Sequence, residues 1–104
     1  MATGGTLILE RNSERDIKFR DMYVLVDDMP EENVLFGQSL EVPLAPGEHR
    51  LRITNRLFHD EATFTVHEGE TVRFTGINVL KPGVLNLVAM ASGGVVYKPV
   101  LERN

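Results

Sequence analysis

Thr63-Phe64-Thr65-Val66-His67-Glu68-Gly69-Glu70-Thr71-Val72-Arg73-Phe74-Thr75 is the stretch on which the fold turns. Apolar and polar side chains alternate on both sides of a short glycine-containing turn. A period of two puts Phe64 and Val66 on one face of an extended segment, and Val72 and Phe74 on one face of the next. With Val66 opposite Val72, Phe64 falls opposite Phe74 and Thr63 opposite Thr75. The stretch is therefore predicted as a β-hairpin with a three-residue loop, Glu68-Gly69-Glu70, in which Gly69 supplies positive φ.

The same alternation extends upstream. Ala62 joins Phe64 and Val66, Leu51 and Ile53 alternate with Arg50, Arg52 and Thr54, and Leu40, Val42 and Leu44 alternate with Glu41 and Pro43. Pro43 cannot donate to a ladder, which predicts an edge or a strand end there. Met22 to Val26 is apolar on both parities, as in a central strand covered on both faces. Adding Thr6 to Glu10 and Val95 to Leu101 gives about seven strands. Turn residues at 27–30, 45–48, 67–70, 81–83 and 92–94 have the spacing of a small sandwich or barrel. The fold class is all-β.

Two segments stay open. Leu44 to His49, around Pro46-Gly47, fits a hairpin pairing Val42 with Leu51 and Glu41 with Arg52, or an arch between two sheets. Val84 to Ala91 is eight residues long and bracketed by Pro82-Gly83 and Ser92-Gly93-Gly94, so helix, strand and apolar loop all suit residues 80–92.

Composition sets the outer bounds. The 104 residues, 42% hydrophobic and 25% charged with a net charge of −4, suit one folded domain over 1–104. The absence of cysteine excludes disulfides, thiolate metal sites and cysteine nucleophiles. Residues 21–70 hold three basic and eleven acidic side chains, which argues against a surface that tracks nucleic-acid phosphates. The start lacks a basic segment before Leu7-Ile8-Leu9, and the uncharged run from Pro82 to Tyr97 is broken by glycines and polar residues. Neither a signal peptide nor a membrane span is expected, so the default is a cytoplasmic protein, open again if the chain is cut from a larger one.

Chemistry-bearing residues are sparse. His59-Asp60-Glu61 has metal-ligand residue types, but neighbours on a strand point to opposite faces and cannot share an ion; His67 alternates outward beside a turn. Ser13, Ser39 and Ser92 lie outside any nucleophile-elbow pattern, and Asp27-Asp28 and Glu31-Glu32 are expected as solvated turn carboxylates. No enzyme, cofactor or metal is expected. With no Trp, and with Phe64 and Phe74 in the core, little remains for a sugar-stacking platform except Phe58 beside Leu57. A buried Phe58 favours a plain module and an exposed one a ligand site. Val84 to Ala91, with Leu85 and Leu87, is either buried or a contact for another copy or a partner protein.

The run Leu40-x-Val42-Pro43-Leu44-Ala45-Pro46-Gly47-Glu48-His49-x-Leu51-x-Ile53 resembles the strand, Pro-Gly, His-or-Tyr, strand signature of PEGA domains and carboxypeptidase-regulatory-like domains. Tyr23-Val24-Leu25-Val26-Asp27-Asp28 resembles their opening strand and turn, and Thr63 to Phe74 their closing strands. The likeness covers residues 5–76, and the same order of elements is similar to a set of short bacterial proteins. Asp28 stands where the family carries a turn glycine, Glu31-Glu32-Asn33 replaces its second glycine turn, and residues 77–104 have no counterpart. The resemblance implies an immunoglobulin-like or transthyretin-like sandwich, an inward His49 bonded to the corner backbone, and no catalytic residue. The expected function is a non-enzymatic structural or protein-interaction module. The alternative is a small-ligand or carbohydrate-binding module, with Leu57, Phe58, Leu85 and Leu87 as the candidate contact residues.

Overall fold

Eight strands are described: β1 (Gly5–Glu10), β2 (Tyr23–Val26), β3 (Glu32–Asn33), β4 (Ser39–Leu44), β5 (Gly47–Thr54), β6 (His59–Val66), β7 (Thr71–Leu80) and β8 (Tyr97–Arg103). They come from a computed structural model that describes residues 4–18, 21–56, 58–80 and 97–104. They form two four-stranded sheets in the orders β4-β1-β7-β8 and β3-β2-β5-β6. The protein is an all-β sandwich, with no helix among the described residues. All seven predicted strands overlap observed ones: Met22 falls one residue before β2, and of the seventh, Val95 and Val96 fall outside the described residues and β8 begins at Tyr97.

Phe64 to Phe74 does not form the predicted hairpin. β6 pairs antiparallel with β5, from Gly47↔Val66 to Thr54↔His59, whereas β7 pairs parallel with β1 and antiparallel with β8. The turn is an arch that carries the chain from one sheet to the other. Alternation dictates which face a side chain takes, and that part holds: Phe64, Val66, Val72 and Phe74 are all buried. It does not dictate which backbone lies alongside. The Phe64 and Phe74 rings meet across the two sheets, edge to face, with centroids 5.5 Å apart. The arch closes on itself through the Glu70 N–H to the His67 carbonyl (2.9 Å) and is also pinned on the start of the chain. Gly69 N–H donates to the Gly4 carbonyl and Thr6 N–H to the Glu70 carbonyl, both at 2.9 Å, and Gly69 has φ of 77°.

Pro46-Gly47 is the second arch, since β4 lies in one sheet and β5 in the other. Val42 pairs with Leu7 and Leu51 with Val26 and Ala62, so the Val42–Leu51 hairpin is not formed. Consecutive strands that do pair antiparallel are β2–β3, β7–β8 and β5–β6, the last closed at Asn55–Phe58, where the Phe58 N–H donates to Asn55 Oδ1 (2.9 Å) and Asn55 N–H to the Phe58 carbonyl (3.1 Å).

Pro43 is on an edge strand, as its missing donor requires. Thr6 N–H donates toward β7, so the Thr6↔Pro43 pair is not hydrogen-bonded and the proline nitrogen faces the free edge of the sheet. At the opposite side Asp60 Oδ2 accepts the Leu101 N–H (2.8 Å), joining β6 to β8. The core between the sheets is Leu7, Leu9, Val24, Val26, Leu51, Ile53 and the four residues of the first arch, with Met22, Val34 and Leu44 at its ends. On β7 a Cβ at Gly76 would lie 2.7 Å from Met22 Sδ, so a larger residue there obliges the Met22 side chain to shift.

Candidate functional site

Two depressions adjoin the β2–β3 turn, one polar and one apolar. The polar cleft, of about 570 Å³, is lined by Asp27, Asp28, Glu48, His49, Arg50, Glu61 and Thr63. The geometry starts at Asp27, which ends β2 with φ of 49°, a left-handed conformation that Asp tolerates better than most residues. Its N–H donates to the Arg50 carbonyl (2.9 Å) and its Oδ1 accepts the Arg50 N–H (2.8 Å). Its Oδ2 lies 2.6 Å from His49 Nδ1, and His49 Nε2 lies 2.7 Å from the Ala45 carbonyl oxygen. The contact with Ala45 agrees with the expected inward ring bonded to the corner backbone. The Asp27 contact is new.

Electrostatics follow from these partners. The Ala45 carbonyl first, and then the hydrogen bond and charge of Asp27, raise the His49 pKa above 6.5 against the opposing effect of burial. Burial pushes the Asp27 carboxyl up, but the Arg50 N–H, His49 and the Arg50 charge outweigh it and hold it below 3.8. A His–Asp pair supplies two of the three members of a catalytic triad. Here the second ring nitrogen points at a carbonyl and not at a hydroxyl, so no nucleophile is activated by it.

The apolar groove, of about 240 Å³, opens between the two edge strands. Val24 and Val26 are buried at its base, Met29 and Pro30 of the β2–β3 turn form one side, and Leu40, Val42 and Pro43 of β4 form the other. Glu32 and Glu41 complete the lining. Met29 is 41% exposed, and Leu35, further along the β3–β4 connection, is 47% exposed.

The residues singled out from sequence fare unequally. Phe58 is half-buried at the β5–β6 turn; Leu57, Leu85 and Leu87, with the whole 84–91 segment, lie outside the described residues. His59, Asp60 and Glu61 are on β6, where Asp60 is committed to the Glu61 and Leu101 N–H groups. Among the described residues no cluster of three or more His, Cys, Asp or Glu side chains is placed to hold a metal ion. No helix there is long and apolar enough to cross a membrane.

Sequence reasoning missed the most buried charges. Arg11 and Asp16 have fully buried side chains; Arg11 Nε and Nη2 donate to the two Asp16 oxygens (2.9 and 3.1 Å), and Nη1 donates to the Val34 carbonyl (2.9 Å). The signal was present: Arg11 follows Leu7 and Leu9 on the inward parity. Asn78, also fully buried, has neither amide atom hydrogen-bonded among the described residues.

Compared with models of protein families, with curated proteins and with solved structures, the chain finds no match in any of the three.

Proposed function

We propose that this chain is a non-enzymatic protein-interaction module on a PEGA-like, immunoglobulin-like or transthyretin-like sandwich, and that it takes its partner at the apolar groove. One observation carries the reading: the large hydrophobics exposed among the described residues, Met29 and Leu35, both lie on the chain between β2 and β4, beside or near that groove. The other large hydrophobics whose burial is described are folded into the core or half-buried. Pro43 removes one donor from the free edge of β4, which disfavours added strands and favours side-chain docking. Glu32 and Glu41 suit a partner segment that is apolar at its centre and basic at its flanks.

The PEGA-like part is supported by the two-sheet architecture, by the Pro46-Gly47 arch between sheets and by His49 turned toward that corner. The small-ligand or carbohydrate reading has less behind it. Phe64 and Phe74 are buried, and the Tyr23 ring is covered by the Arg56 guanidinium at 3.8 Å.

Affinity capture from the source cells with the wild-type chain, Met29→Lys and Thr63→Lys tests the groove against the polar cleft. The partner should be lost with Met29→Lys and kept with Thr63→Lys, both variants giving the wild-type circular dichroism. Retention by Met29→Lys, or loss with Thr63→Lys, overturns the assignment.

A further inference from the structure

His49 faces two acceptors. A neutral imidazole carries one N–H and one lone pair, so it can satisfy the Ala45 carbonyl or the Asp27 carboxylate, but not both. If the ring were neutral, one contact, at 2.6 or 2.7 Å, would set lone pair against lone pair. Both distances are those of good hydrogen bonds. The His49–Asp27 pair therefore holds one proton more than a neutral imidazole and a carboxylate would.

We propose that His49 is a proton-operated latch: as an imidazolium it ties the Ala45–Pro46 arch to the β2–β3 turn, and on losing a proton it releases one of them. Taken together, the charges around the ring favour a cation. The β2–β3 turn presents Asp27 and Asp28, β5 presents Glu48 and Arg50, and β6 presents Glu61 with the uncharged Thr63. Phe64 of β6 lies against the ring with centroids 6.0 Å apart. Arg50 is the one opposing charge in the cleft, and its nearest carboxylate is Glu61 at 3.7 Å.

The latch also adjoins the groove along the chain. Asp27 is two residues before Met29-Pro30, and Ala45 is two residues after Pro43, so the two ends of the latch continue into the two sides of the groove. This coupling rests on the groove being the docking site; the protonation of His49 does not. Release should let the two sides separate, so partner affinity and pH are linked through one ring.

The sign of the stability effect follows. Because the folded-state pKa of His49 is raised, its contribution is complete below 6.5 and is lost as pH rises through the folded value. Because that of Asp27 is lowered, its contribution is complete above 3.8 and is lost as pH falls through the folded value. The latch is closed between those limits and opens on the alkaline side.

Ring nitrogen NMR on the intact chain, wild type and Asp27→Asn, provides the test. Asn is at ease at positive φ and keeps an acceptor for the Arg50 N–H, but it removes the anion. At pH 6 both ring nitrogens of wild-type His49 should be protonated, and its pKa should lie above 6.5 and fall in Asp27→Asn. The Met29 methyl resonance should shift with the wild-type His49 pKa. Should Asp27→Asn not fold, the wild-type titration decides alone. A ring protonated on one nitrogen at pH 6, or a pKa at or below 6.5, overturns the latch whatever the groove binds. A Met29 methyl that ignores the His49 titration overturns the coupling. Failure of the capture experiment with an intact titration would remove the docking site and leave the latch standing.

Discussion

Two charge pairs hold connections of this sandwich in place, and they differ in burial and in what can undo them. Arg11–Asp16 is fully enclosed and makes a two-pronged contact, and the third guanidinium nitrogen donates to the Val34 carbonyl, so it staples the β1–β2 connection to the segment after β3. His49–Asp27 stands at the surface end of the core, with side chains 12% and 35% exposed. A guanidinium keeps its charge at any pH a protein meets, whereas an imidazolium gives its proton up within the physiological range. The first pair can act only as a permanent fastener. The second can respond.

The largest expected effect comes from breaking the enclosed pair. Asp16→Ala leaves a buried guanidinium without its counter-ion and should destabilise the chain by about 3–5 kcal/mol in urea unfolding. A loss below about 1 kcal/mol would mean that the side chain swings out to solvent and that the staple is dispensable. His49→Ala removes two charge-assisted contacts at a part-exposed site, and about 1 kcal/mol is expected at pH 6, with the difference from wild type shrinking by pH 9. The same loss at both pH values would show that the ring contributes packing against Phe64 rather than charge. Heating scans give an independent view: the wild-type Tm should drop between pH 6 and pH 9, and the drop should persist in Arg15→Ala. Smallest of all is that last substitution, which breaks an exposed pair with Glu102, 58% and 47% exposed, and should fall within about 0.5 kcal/mol.

The sequence carried the faces of the strands but not their neighbours. Phe64, Val66, Val72 and Phe74 point inward as their alternation requires, yet a hairpin and an arch bury the same four side chains, and parity alone does not separate them. Pro43 spoke for its edge because a missing donor is a property of the residue itself. β3 was illegible: two residues, Glu32 and Asn33, carry no apolar signal and are held as a strand by Tyr23 and Val24. His49 could be read as a corner residue, but its second partner is separated from it by 22 positions and is set by the positive φ of Asp27. Arg11 shows the opposite failure. Its parity places it inside, but it lies one residue past the predicted strand Thr6 to Glu10, and only the fold brings it the Asp16 carboxylate.

The parallel pairing of β1 with β7 has a consequence for how the chain assembles. Thr6 lies beside Thr71, and Glu10 beside Thr75, so these neighbours are brought together from far along the chain. The β5–β6 hairpin needs only the span from Gly47 to Val66 and can nucleate early. Until residues 71–75 arrive, the β7-facing edge of β1, with its buried Leu7 and Leu9, stays open and exposed to wrong partners. Folding should therefore be slow for a chain of this length, and the interval before the two distant segments meet is when aggregation competes.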